Sequence, residues 1–266
     1  MPTAHNDGVR LAYERSGPPD AETVVFVEGL GYGRWMWRWQ RRALSDYETI
    51  LWDNRGTGDS DTPEGPYSIE QMAGDLAAVL DDAGVERAHV VGASMGGMIA
   101  QQFALDYGRA DSLSLLCTTP GGPQSVPTPE ATQRRIFDVP EGYDERERRR
   151  YKMAPAMTES FMGANDDLVE RIIDWRIGSD ASERALAWQA AAVEAFDVHD
   201  RLGEIRVPAL VFHGTADRVV PVENGRLLAD GLADVTYREL DGAPHLLFIE
   251  RADEVNDALR GFLADG

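Results

Sequence analysis

Apolar residues along this chain follow two rhythms. The first is a set of short runs bounded by turn formers, at residues 23–29, 48–54, 88–94, 112–119, 209–215 and 235–240. Runs of this length are too short for helices, and they read as buried strands. The stretch "VRLAYERS", residues 9–16, alternates apolar and polar positions after Asn6-Asp7-Gly8 and reads as a half-exposed early strand. The second rhythm is helical and connects the strands at 68–84, 95–108, 223–232 and 251–264. In the first of these helices Ser68 and Gln71 have the spacing of a capping box. Strands alternating with amphipathic helices predict an α/β fold, with a mainly parallel sheet covered on both faces.

From about residue 120 to residue 197 the strand rhythm stops. A loop, "PGGPQSVPTPE", leads into helical segments bearing Arg, Met and Trp. We read residues 1–119 and 198–266 as the core and 120–197 as a helical cap over the carboxyl edge of the sheet, where open α/β sheets hold ligands. The charged run "DERERRRYK" inside the cap reads as a solvated helix face. No internal repeat is visible.

Composition narrows the function classes. The 266 residues are 43% hydrophobic and 8% aromatic, ordinary for a soluble globular protein. No apolar run approaches the ~20 residues that cross a bilayer. The first ten residues, "MPTAHNDGVR", lack a signal-peptide layout, so a cytoplasmic location is expected. With 46 acidic against 26 basic residues the net charge is −20, which argues against nucleic acid or an anionic membrane as partner. Lys152 is the only lysine, leaving 25 arginines. That balance fits a salt-rich cytoplasm, or a genome whose base composition favours arginine codons. The single cysteine, Cys117, excludes an intrachain disulfide and a cysteine-based metal cluster, and reads as a buried strand residue.

The chemistry begins at "HVVGASMGG". Gly92-Ala93-Ser94-Met95-Gly96 fits G-x-S-x-G directly after a buried strand and before a helical pattern, the context the motif requires. A serine on such a sharp turn is pushed out at the top of the sheet, and side chains at the flanking glycines would clash. It becomes a nucleophile only when an oriented base takes its proton. Of five histidines, His5 is near the terminus, His89 begins a strand, His199 lies among charges and His213 reads as buried. His245, in a Gly/Pro loop after the last strand, can reach the sheet's edge. Asp217, in the turn after residues 209–215, is the carboxylate that would orient it. The order Ser94, Asp217, His245, each just after a strand, is that of an α/β-hydrolase.

Residues 29–33 leave two readings. Gly29, Gly31 and Gly33 follow a buried strand, and Asp53 ends the next one, which imitates a dinucleotide-binding fingerprint. The third glycine of that fingerprint is missing, because position 34 is Arg. The alternative is a loop whose bare N–H groups meet an acyl oxygen.

"DNRGTGDS" (53–60), "GASMGGMIAQ", "HGTADRVVP" and "GAPHL" resemble the α/β-hydrolase superfamily over nearly the whole chain, nearest its esterase, enol-lactonase and cofactor-free haloperoxidase group. The resemblance implies an oxyanion hole from the backbone N–H groups of Leu30 and Met95. It implies a serine hydrolase acting on a small carboxylic ester or lactone, with no metal and no organic cofactor. The alternatives are an enol-lactone or carbon–carbon bond hydrolase with the same triad, or a hydrolase-fold ligand receptor. The acyl and alcohol parts and the oligomeric state stay open. One departure is Glu28-Gly29, where the group usually has His-Gly. A carboxylate beside the oxyanion loop predicts a preference for neutral substrates over anionic ones, unless arginines of the cap compensate.

Overall fold

Val24 and Phe26 pack on one face of the sheet, Val25 and Val27 on the other, and all four are fully buried. Alternate side chains leave a strand on opposite sides, so this segment is covered twice. It is β3 (Thr23–Val27) in the computed structural model, which describes residues 1–264. Its companions are β1 (Thr3–Asn6), β2 (Val9–Ser16), β4 (Glu48–Trp52), β5 (Ala88–Ala93), β6 (Ala110–Leu116), β7 (Ala209–Gly214) and β8 (Val235–Leu240). They form one eight-stranded sheet in the order β1-β2-β4-β3-β5-β6-β7-β8. β1 and β2 pair antiparallel at one edge, β2 meets β4 antiparallel, and every pair from β4 to β8 is parallel. The expected α/β architecture is therefore the observed one.

β1 is the strand the apolar pattern does not disclose. It pairs with β2 through the two residues Asp7 and Gly8, both at positive φ (50° and 80°). An Asp-Gly pair with that backbone is a two-residue hairpin turn matched to strand twist.

Helices α1 (Arg38–Ala43), α10 (Leu247–Glu250) and α11 (Ala252–Ala264) cover one face. α2 (Ile69–Ala83), α3 (Met95–Tyr107) and α9 (Glu223–Gly231) cover the other. The Ser68–Gln71 capping box forms at the start of α2, with both reciprocal bonds present. The 3-10 turn Arg34–Trp37 and α1 are not foreshadowed by periodicity. Trp35, Met36 and Trp37 are all buried there, so no polar face marks the element. Trp37 sits between Phe26 and Phe248, with ring centroids 5.2 and 5.1 Å away.

Between β6 and β7 the chain forms α4 (Glu130–Phe137), α5 (Glu145–Met153), α6 (Glu159–Ala164), α7 (Asp166–Ser179) and α8 (Glu183–Ala195). Its one strand-like contact among the described residues is the isolated bridge Gly121–Asp197. Met153, Ile172 and Ile173 join the core that holds Trp37 and Phe248. Asp265 and Gly266, the end of the 198–266 segment, lie outside the described residues. No described helix is long and apolar enough to cross a membrane.

Candidate active site

Ser94 occupies the single residue between β5 and α3, at φ 55° and ψ −121°. This is a strained conformation for a residue with a side chain, held by its neighbours. Ser94 N–H donates to Leu116 O at 2.9 Å, and Thr118 Oγ1 donates to Ser94 O at 2.7 Å. A Cβ on Gly92 would overlap the carbonyl of Gly96, and one on Gly96 would overlap the carbonyls of Val27 and Glu28. The two glycines of the motif are thus required by backbone approach.

Asp217 lies in the turn after β7. Its Oδ1 accepts from the N–H groups of Val219 (2.8 Å) and Val220 (2.9 Å), and its Oδ2 lies 2.7 Å from His245 Nδ1. Both side chains are buried. Burial alone would raise the Asp217 pKa; His245 and His213 outweigh it and hold the carboxyl well below the usual carboxylate range. Nδ1–H facing an ionised carboxylate leaves Nε2 as the basic nitrogen of His245.

The other histidines have structural places. His5 lies on β1, His199 opens the 3-10 turn His199–Glu204, and His89 Nδ1 is 2.8 Å from Ser112 Oγ. His213 is fully buried, with Nε2 2.8 Å from Val220 O and 3.4 Å from Asp217 Oδ2. Cys117 is buried but lies one residue past β6, at φ 47°, so it is not the strand residue its pattern implies. Its sulfur, His213 and Asp217 bring ligand-type atoms within 4.8 Å of one another. Burial, then the Asp217 charge, raise the thiol pKa well above normal. A protonated thiol beside a carboxylate already engaged by His245 is a poor metal site.

Ser94, His245 and Leu30 all line one cavity of about 380 Å³, with Phe248, Leu186 and Ile136 among its apolar walls. That volume is in the range of small-molecule sites. Among the described residues the backbone N–H groups of Leu30 and Met95 have no acceptor. Leu30 is on the cavity wall, whereas Met95, the residue after Ser94, is fully buried and off the wall.

The loop carrying Leu30 is held by a residue the sequence does not single out. Gln189 of α8 accepts from Gly31 N–H at 2.8 Å and donates to Arg55 O (2.9 Å) and Thr57 Oγ1 (3.0 Å). Its one sequence signal is a lone amide in the alanine-rich "LAWQAAAV". Asp53 is buried, paired with Arg34, and accepts from the Asp59 N–H at 3.0 Å. It serves the turn at 53–60, which removes the acid a dinucleotide site would need.

Glu28 departs from expectation. Its side chain is completely buried, off the cavity wall, and neither carboxyl oxygen has a partner. Burial, then the nearby Asp53, push its pKa well above the carboxylate range. A carboxyl pushed toward its neutral form and walled off from the cavity exerts little repulsion on an oxyanion, so the argument for neutral substrates loses its basis. The "DERERRRYK" run also differs from the expected solvated face. Arg146 and Arg150 are partly exposed and pair with Asp166, Glu170 and Asp174 of α7, while Glu145, Arg148, Arg149 and Lys152 line the cavity.

A mainly parallel sheet, a serine on a strained strand-to-helix turn and a carboxylate-backed histidine at the same edge define a hydrolase of the α/β type. The chain belongs to the alpha/beta hydrolase family, whose model matches residues 24–258. It is 31% identical to "Putative carbamate hydrolase RutD" of Azorhizobium caulinodans, over 100% of this chain and 99% of that one. It is 28% identical to 3-oxoadipate enol-lactonase 2 of Acinetobacter baylyi, over 96% and 93% of the two chains. Among solved structures, the enol-lactonase from Burkholderia xenovorans LB400 superposes with a TM-score of 0.87 at 30% identity, covering 99% of this chain and 100% of that one.

Proposed function

We propose that this protein is a serine hydrolase that cleaves a small carboxylic ester or lactone beneath a cap formed by residues 120–197. Ser94 Oγ attacks the acyl carbon while His245 takes its proton and passes it to the leaving alcohol. Asp217 orients His245 and stabilises the imidazolium. The N–H groups of Leu30 and Met95 receive the oxyanion. Water, activated by His245, then releases the acid from the acyl-enzyme and restores Ser94. The observation that carries this reading is the joint presence of Ser94 and His245 on one cavity wall, with Asp217 2.7 Å behind the histidine. The lactonase relatives support the substrate class, since an enol-lactone is an ester closed into a ring.

A fluorophosphonate should label the protein once per chain and fail to label Ser94→Ala. That variant should lose roughly 10³-fold or more in kcat, leaving binding and oxyanion stabilisation. Near-wild-type turnover by Ser94→Ala on a p-nitrophenyl ester would overturn the assignment. Multiple turnovers by the wild type would separate an enzyme from a ligand receptor.

A further inference from the structure

The face of α5 that lines the cavity is charged where an apolar pocket would ordinarily be met by apolar side chains. Glu145, Arg148, Arg149 and Lys152 stand at i, i+3, i+4 and i+7, one stripe of a helix. Arg176 and Glu183 complete the charged lining. Four cations against two carboxylates leave a formal excess of two positive charges, inside a protein whose net charge is −20.

Local bonding sorts these cations. Arg176 is buried and engaged: its Nε donates to Asp180 Oδ2 at 2.7 Å, and its guanidinium lies 4.4 Å from the centroid of the Tyr32 ring. Arg148 is 3.5 Å from Glu183 and donates to Tyr143 O at 3.2 Å. Arg149 has carboxylates only at 3.8 Å, those of Glu145 and Asp180, beyond hydrogen-bond reach. Lys152 is half-buried and has no hydrogen-bond or ion-pair partner among the described residues. It is also the only lysine in the chain. Burial, together with Arg149, Arg176 and Arg148, outweighs Glu183 and holds its pKa below the usual lysine range. A half-desolvated cation among other cations lacks the anion that would stabilise it. Glu145 and Glu183 do not fill that role, because both are exposed and screened by water.

We propose that Lys152 and Arg149 form an anion subsite in the cavity wall, and that the substrate carries a carboxylate in addition to the ester or lactone that is cleaved. This rests on reading Ser94 and His245 as the acyl-transfer pair. A compact ammonium beside a guanidinium suits one carboxylate, and an excess of only two charges suits a monoanion better than a phosphate dianion. The apolar walls of Phe248, Leu186 and Ile136 would cover the hydrocarbon between the two groups.

The test uses monomethyl glutarate, an anion, and dimethyl glutarate, its neutral counterpart, titrated by NMR into Ser94→Ala so that neither is consumed. The anion should bind about tenfold or more tightly, the scale of a hydrogen bond to a charged group. Adding Lys152→Met should bring the ratio of the two affinities close to one, Arg149→Gln should lower it, and Lys152→Arg should retain it. A ratio near one in Ser94→Ala itself, or a ratio that Lys152→Met and Arg149→Gln both leave unchanged, would overturn the subsite. Fluorophosphonate labelling of the wild type separates the two readings. A binding ratio that responds to Lys152 in a protein whose Ser94 the fluorophosphonate does not label would refute the hydrolase and leave the subsite standing.

Discussion

Asp217 divides its carboxylate between two tasks: Oδ2 meets His245 Nδ1 at 2.7 Å, while Oδ1 holds the N–H groups of Val219 and Val220. The backbone bonds fix the carboxylate, so the imidazole is aimed by a group that cannot itself swing. Replacing Asp217 by Asn keeps an acceptor for the backbone but removes the charge that selects the tautomer of His245. Asp217→Asn should stay folded and lose about 10³- to 10⁴-fold in kcat.

The same residue links stability to pH. Its pKa in the fold lies below the value near 3.9 of an unfolded chain, so its contribution is full above that value and is lost as pH falls through the folded one. Wild type should therefore melt above Asp217→Asn at neutral pH, and the gap should narrow below about pH 4. A gap independent of pH would place the carboxyl outside this network.

If Ser94, Asp217 and His245 act as one unit, their losses do not multiply. A triple Ala variant should be little slower than Ser94→Ala alone. Strictly multiplicative losses would contradict the unit.

Gly96 tests the turn that presents Ser94. In an ordinary helix Gly→Ala stabilises by about 1 kcal/mol. Here the added Cβ meets the carbonyls of Val27 and Glu28, backbone that belongs to the central strand and the loop after it. Gly96→Ala should lose roughly 3 kcal/mol or more, or fail to accumulate as folded protein, read by thermal denaturation. A more stable variant would mean the turn is not as described.

Gln189 tests the loop that we propose supplies an oxyanion donor, from the helices inserted between β6 and β7. Gln189→Ala frees the Gly31 N–H and leaves Arg55 O and Thr57 Oγ1 without their donor. Since a lost oxyanion donor is worth about 10²- to 10³-fold, a loosened one should lower kcat about tenfold, with a smaller change in KM. A change in KM alone would make Gln189 a packing residue.

Glu28 tests burial. An acid whose pKa is raised by folding costs stability as pH climbs above the unfolded value, because the unfolded chain ionises first. Glu28→Gln has no such penalty. Its melting temperature relative to wild type should therefore rise between about pH 5 and about pH 8, and a difference that stays constant would mean Glu28 is ionised in the fold.

What the sequence determined by itself was local. Strand positions followed from short apolar runs and, for β2, from alternation, the α2 start from Ser68 and Gln71, and the turn around Ser94 from two glycines whose missing side chains are a backbone requirement. β8, expected to be buried, is a mostly exposed edge strand in which only Leu240 is buried, because no further strand covers that side. The order of Ser94, Asp217 and His245 was legible because each follows the same end of a strand, β5, β7 and β8 in turn, and a parallel sheet brings those ends to one edge. Their catalytic roles remain our proposal. What only the tertiary structure decided is what one element does to another. β1 was hidden because an edge strand of four residues has too little pattern to read. The Trp35–Trp37 turn was hidden because burial on every side erases periodicity. Glu28 lies in the middle of a legible segment, yet the upward push on its pKa comes from loss of water and from Asp53, 25 positions away in sequence. The charges of α5 spell a helix face in the sequence, but spacing cannot say whether that face meets solvent or a cavity. That depends on where the inserted helices come to rest over the sheet, and the packing of Met153, Ile172 and Ile173 against the Trp37 core turns Lys152 inward.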